Sequence, residues 1–221
     1  ATMTRFDGRQ QGVRYDSPDF GGFNFNVTQQ MADSSMESQY QPNFSTNGQN
    51  TIVGLNYENS GFFAKLGYGL YKHNHVSGAD VGDGQVARIE GGYDANNLFV
   101  GLAYQYTKDM PAYDAYHNDA AGSIADETHE AAVSVAYTMG AVTPKVTYAH
   151  GWDQKIAGSK VSNSGYDQVI IGADYALSKR TTALVSAGWM NAGNADKALD
   201  SDGNMQDDDL YSVGVGLRHK F

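Results

Sequence analysis

The chain has 221 residues, no Cys and a formal net charge of −10, which argues against a disulfide framework, a thiol metal site and a phosphate-backbone partner such as nucleic acid. Its 26 Gly, 15 Tyr and only 4 Pro suit long paired strands with aromatic ends rather than helices, which Gly weakens. No apolar run approaches the ~18 residues of a membrane helix, a test that a transmembrane barrel also passes, because its polar and apolar faces cancel.

Residues 1–9 show neither the apolar core of a signal peptide nor a strand pattern. The chain is therefore expected to begin inside a larger element. Eleven strands are expected, over 10–17, 21–30, 50–58, 61–73, 85–94, 97–108, 128–139, 143–152, 165–177, 181–192 and 208–221. Their connections alternate. Ser17-Pro18-Asp19-Phe20, Asn59-Ser60, Ala95-Asn96, Gly140-Ala141-Val142 and Ser178-Lys179-Arg180 are short turns, while 31–49, 74–84, 109–127, 153–164 and 193–207 are long polar loops. Short turns at one rim and long loops at the other are the layout of an outer-membrane barrel. A period near 40 with one Trp152-Asp153 pair does not make a β-propeller, which needs four strands per repeat.

Alternation supports the same fold. Phe62, Ala64, Leu66, Tyr68 and Leu70 oppose Lys65, Gly67 and Gly69; Leu98, Val100, Leu102, Tyr104 and Tyr106 oppose Gly101, Ala103, Gln105 and Thr107. Ala87, Ile89, Gly91 and Tyr93 oppose Arg88, Glu90 and Gly92, and Ala131, Val133, Val135 and Tyr137 oppose Glu130, Ser134 and Thr138. Tyr57, Tyr93, Tyr106, Tyr137, Trp152, Tyr166, Tyr175, Trp189 and Tyr211 sit at strand ends, as interfacial belts would. In the last strand Tyr211, Val213, Val215, Leu217, His219 and Phe221 share one face, opposite Ser212, Gly214, Gly216, Arg218 and Lys220. Termini usually fray, so a strand running to an aromatic last residue implies that something holds it.

That ending, Val215-Gly216-Leu217-Arg218-His219-Lys220-Phe221, resembles the carboxy-terminal assembly signal of the Neisseria-type, betaproteobacterial trimeric porins. Gly12-Val13-Arg14-Tyr15-Asp16-Ser17-Pro18-Asp19-Phe20 resembles the segment that follows the constriction loop in the same porins. Gly54-Leu55-Asn56-Tyr57-Glu58-Asn59-Ser60-Gly61, Gly92-Tyr93-Asp94-Ala95-Asn96-Asn97 and Tyr166-Asp167-Gln168-Val169-Ile170-Ile171-Gly172 resemble later segments of them, in the same order. The resemblance spans nearly the whole chain and implies an all-β, antiparallel transmembrane barrel of porin type, of which about eleven of sixteen strands are here. Residues 1–9 would be the tail of the constriction loop and 10–221 the barrel strands, with the amino-terminal part missing. Parity agrees, since eleven strands closed on themselves would force one parallel pair. The resemblance further implies a homotrimer, contact with membrane lipid and lipopolysaccharide, and recognition of the last strand by the outer-membrane assembly machinery.

The expected function is passive diffusion of ions and small hydrophilic solutes through a water-filled lumen. Alternation puts Arg14, Lys65, Arg88, Glu90, Lys145, Arg218 and Lys220 on its wall. Six of these are basic and one acidic, so weak anion preference is expected. Catalysis is not. No nucleophile or nucleotide motif is present, His73 and His75 lack a third ligand nearby in sequence, no cofactor is implied, and the acidic run Asp196, Asp200, Asp202, Asp207, Asp208 and Asp209 lacks calcium-loop spacing. A barrel with an adhesive role for its long loops is the alternative, and a soluble all-β binding module the third reading.

Overall fold

A computed structural model describes residues 12–30, 44–46, 50–76, 79–111, 124–156, 158–192 and 209–220. The expected constriction-loop tail at 1–9 and the terminal Phe221 lie outside the described residues. The strands are β1 Gly12–Asp16, β2 Phe23–Gln30, β3 Phe44–Thr46, β4 Asn50–Asn59, β5 Phe62–Val76, β6 Ala79–Ala95 and β7 Leu98–Pro111. Then follow β8 Ile124–Tyr137, β9 Val142–Gly151, β10 Lys155–Ile156, β11 Ser159–Lys160, β12 Tyr166–Ala176, β13 Thr181–Ala192 and β14 Asp209–His219. No described residue is helical.

Eleven of these form one meander in the order β1-β2-β4-β5-β6-β7-β8-β9-β12-β13-β14, each antiparallel to the next. They correspond one for one to the eleven expected strands. Among the described residues β1 and β14 do not pair with each other, so the sheet has two edges.

The short rim is built from tight turns. Ser60 and Gly61 (φ 53° and 85°) join β4 to β5, and Asn96 and Asn97 (φ 53° and 63°) join β6 to β7. Two consecutive positive φ values make the mirror-image turn whose twist suits a hairpin. Gly61 has a second reason to lack a side chain: a Cβ there would lie 2.6 Å from the Ala95 Cβ.

The long rim departs from the sequence expectation. Residues 74–84, expected as a polar loop, are mostly strand, because β5 runs to Val76 and β6 starts at Ala79. β7 and β8 likewise extend to Pro111 and back to Ile124. β3 pairs with the extended end of β5, and the small β10–β11 hairpin pairs with β8 at Lys155–Glu127.

A soluble sheet of this size would bury one face in a core. Here the only buried apolar residues among those described are Met110, Ala125, Ala132 and Ala149. Between the two edges the ladder hydrogen bonds satisfy the backbone, as a structure lying in hydrocarbon requires, and what covers the apolar face must come from outside the sheet.

Candidate channel wall

Cross-strand register assigns every face, because directly paired residues point the same way. One row runs Asp16, Asn26, Gly54, Gly67, Arg88, Gln105, Glu130, Gly151 and Tyr166. A second runs Asn24, Asn56, Lys65, Glu90, Ala103, Ala132, Ala149 and Gln168. A third joins Asp94, Phe99, Ala136, Lys145, Gly172, Ser186 and Gly214. Arg14 and Arg218 fall on this same face by parity, paired with Thr28 and Thr182; Lys220 follows Arg218 two residues on, just beyond β14. So the register brings six of the seven expected lining residues to one face and continues it toward the seventh. Register also resolves β13, where alternation is weak: Ser186 and Gly188 belong to the polar face.

The opposite face is apolar and open. Ile89 is 51% exposed, Leu102 59% and Val215 84%, alongside Leu55, Phe62, Leu66, Val135, Val146, Ile171 and Val185. Leaving a Leu- or Ile-sized side chain in water costs about 1.5–3 kcal/mol. A dozen half-exposed ones would cost on the order of 10–20 kcal/mol, as much as the whole net stability of a typical domain. This face therefore requires an apolar medium. Tyr57, Tyr93, Tyr137 and Tyr175 border it at the short rim, and Tyr106, Trp152, Trp189 and Tyr211 toward the long rim. Tyr166 is the exception among the expected belt residues. It pairs with Gly151 on the polar face, and its ring occupies the place of the missing Gly151 side chain, 2.3 Å from where a Cβ would stand.

The polar face corrects the expectation of a basic wall. Alternation singled out six cations and Glu90 and set Glu130 opposite the apolar positions, and the register adds Asp16, Glu58, Asp94 and Asp174 to the same side. The Arg14 Nε donates to both Asp16 oxygens at 2.9 Å, and its Nη2 to Oδ1 at 2.6 Å. Lys65 lies 3.5 Å from Glu58, Lys145 donates to Asp174 at 2.6 Å, and Arg88 is bridged to Glu90. Among the described residues no ion pair holds Arg218 or Lys220. Neutral pairs continue the polar surface, as in Asn56 Nδ2 to Asn24 Oδ1 at 2.9 Å and Ser134 Oγ to Thr147 Oγ1 at 2.9 Å.

Three aromatic wall residues escaped the sequence reading. Phe63 and Tyr71 share the parity of Lys65 and Phe99 that of Gly101, so all three lie on the polar face. For Phe63 and Phe99 alternation was the available signal, and it was obscured because Phe62 and Leu98 occupy the neighbouring apolar positions.

On β14, Tyr211, Val213, Val215, Leu217 and His219 share the apolar face as expected, and His219 Nδ1 lies 3.0 Å from Thr181 Oγ1. The sixth member of that set, Phe221, lies outside the described residues.

A meander of long antiparallel strands with one continuous apolar face, one polar face and aromatic borders defines the wall of a transmembrane β-barrel. The chain belongs to the Gram-negative porin family, whose match covers residues 2–221, and is thus an outer-membrane β-barrel protein. It is 39% identical to the major outer membrane protein P.IB of Neisseria sicca over 99% of this chain and 61% of that protein. It is 40% identical to the P.IB protein of Neisseria lactamica over 96% of this chain and 57% of that one. The chain thus spans about 60% of the length of the curated relatives it matches. Among solved structures, the OmpF of Salmonella typhi in complex with daunomycin superposes with a TM-score of 0.66 at 22% identity, over 93% of this chain and 60% of that one. A refined porin structure gives 0.64 at 16% identity, over 95% and 61%. At these identities the likeness concerns the fold.

Proposed function

We propose that the chain forms the larger part of the wall of a water-filled outer-membrane channel through which ions and small hydrophilic solutes diffuse passively, with no chemistry on the solute. The observation that carries this is the division of one sheet into an exposed apolar face and a hydrogen-bonded, charged one. Arg14, Lys65, Arg88, Glu90, Lys145, Arg218 and Lys220 are its charged lining. Residues 10–221 are barrel strands, and 1–9 the end of a constriction loop.

Parity supports further strands in the complete barrel. β1 and β14 are the first and last of eleven alternating strands, so they run the same way; an odd number of further strands would join them without a parallel pair. Family membership supports a homotrimer embedded in lipid and lipopolysaccharide. The exposed Tyr211, Val213, Val215 and Leu217, together with His219 and Phe221, are what an assembly machinery would read.

The paired charges change the selectivity argument. Each of Arg14, Lys65, Arg88 and Lys145 faces an acid, so these cations contribute little net field. A weak anion preference would rest mainly on Arg218 and Lys220, beside the short-turn mouth. The test is conductance of the full-length protein in planar lipid bilayers under a salt gradient. Stepwise channel openings with a small anion-favouring reversal potential are expected, moving toward cations in the double variant Arg218→Gln/Lys220→Gln. Failure to conduct would overturn the channel reading. Strong cation preference would overturn the anion preference alone.

A further inference from the structure

We infer that the inner wall carries a binding site for a flat aromatic solute bearing an ammonium group, at the recess floored by Phe63 and Phe99. The inference rests on the channel reading, which makes this face accessible to solutes. Most of the polar face is built from small or hydrogen-bonding residues. Phe63 on β5 and Phe99 on β7 break that pattern. Their rings meet across β6, nearly parallel at 12° with centroids 6.1 Å apart.

Glycines make this stack possible. Gly92 pairs with both Phe63 and Gly101. A Cβ on Gly92 would come within 2.8 Å of the Phe63 ring and 2.0 Å of the Val100 carbonyl, and one on Gly101 within 2.9 Å of the Phe99 ring. Side chains there would push the rings up into the lumen. Bare backbone lets them lie back against the wall instead, leaving a recess of about 620 Å³ beside them. That volume lies within the usual range for a small-molecule pocket, and an aromatic floor favours a solute that stacks.

Charge decides which aromatic solute. The recess is lined by Glu58, Lys65, Arg88, Glu90 and Asp94. Glu58 is bridged to Lys65 and Glu90 to Arg88. Asp94 is left without an ion pair among the described residues, directly across the ladder from Phe99. One surplus carboxylate beside an aromatic face suits an ammonium attached to a ring. The wall already contains one such contact, since Lys65 Nζ lies 5.8 Å from the centroid of Phe63.

The experiment is single-channel recording of the full-length protein with tryptamine as probe. Ethylammonium supplies the charge without the ring, and indole-3-acetate the ring with the opposite charge. Tryptamine added at the short-turn side is expected to give concentration-dependent current interruptions, ethylammonium none, and indole-3-acetate weaker ones. Phe63→Ala/Phe99→Ala should weaken the apparent affinity for tryptamine at least about tenfold, and Asp94→Asn several-fold. If the double alanine variant fails to assemble, Phe63→Leu/Phe99→Leu and Asp94→Asn carry the test. Interruptions of unchanged affinity in these variants, or equal effects of ethylammonium and tryptamine, would overturn the site while leaving the channel standing. A wild-type protein that does not conduct would overturn both.

Discussion

The two rims of the sheet are built on different rules. At the short rim the chain reverses in two residues, with φ values that admit few residue types, at Ser60-Gly61 and Asn96-Asn97. At the long rim the strands run on past the apolar band, β3 adds to the edge of β5, and the segment after β9 folds into the β10–β11 hairpin. These two tight turns depend on backbone geometry. Other short-rim turns add side-chain hydrogen bonds, as where Asp19 Oδ1 accepts from the Gly22 amide at 2.9 Å and Ser178 Oγ from the Thr181 amide at 3.0 Å, and the long-rim hairpin region depends mainly on such bonds. That hairpin region shows it: Asp153 Oδ1 accepts from the amides of Ser164 and Gly165 at 3.0 Å each, and Ser164 Oγ accepts from the Gln154 amide at 2.7 Å. Substitutions at the short rim should therefore strain the barrel itself, and those at the long rim should free only a loop.

The largest effect is expected from Gly61→Val. A β-branched residue at φ 85°, with its Cβ 2.6 Å from that of Ala95, combines backbone strain with overpacking and should cost about 2–4 kcal/mol. Denaturant unfolding of the full-length protein in detergent would read it, and a loss under 1 kcal/mol would mean that the rim is softer than its geometry implies. Next comes Asn96→Ala/Asn97→Ala. Asn tolerates the left-handed region and Ala does not, so about 1–2 kcal/mol should be lost in the same assay. At the other rim Asp153→Ala removes both amide acceptances and the 3.3 Å bridge to Lys160. It should destabilise the loop by about 1–3 kcal/mol and leave global unfolding unchanged. Limited trypsin digestion should then cut at Lys155 and Lys160, and a shifted unfolding midpoint would erase the distinction between the rims.

This contrast also explains what could be read from the sequence. Within the apolar band, each strand must present one face to hydrocarbon and one to polar groups, so Leu98–Tyr106 or Tyr211–His219 carry a strict period of two, and all eleven meander strands were legible. Beyond the band that demand ends. The β5 and β6 extensions read Lys72-His73-Asn74-His75 and Asp80-Val81-Gly82-Asp83, polar on both faces, and so resembled a loop. β3, β10 and β11, of two or three residues each, are too short for any period to show. The wall cations were found because charge inside a strand is conspicuous. Their acids were missed because Asp16, Glu58, Asp94 and Asp174 stand at strand ends, where an acid looks like turn punctuation until the register shows its side. Asp174 lies 29 residues from Lys145 in sequence, a separation that no local pattern spans.

The smallest effect tests whether the long rim's single ion pairs matter at all. Lys155 on β10 donates its ammonium to Glu127 on β8 at 2.5 Å. The hydrogen bond to Glu127, then its negative charge, holds the lysine above its usual pKa. A raised lysine pKa stabilises the docked hairpin throughout the range below ~10.4, and that contribution disappears only as the pH climbs through the elevated value. The pair is solvent-exposed, where screening and side-chain entropy consume most of the attraction. Lys155→Met should therefore raise the trypsin cleavage rate at Lys160 by less than about threefold at neutral pH. The difference between wild type and variant should shrink as the pH climbs through the lysine's elevated value. A tenfold increase at neutral pH would mean that this bridge, rather than the Asp153 amide contacts, anchors the hairpin to β8.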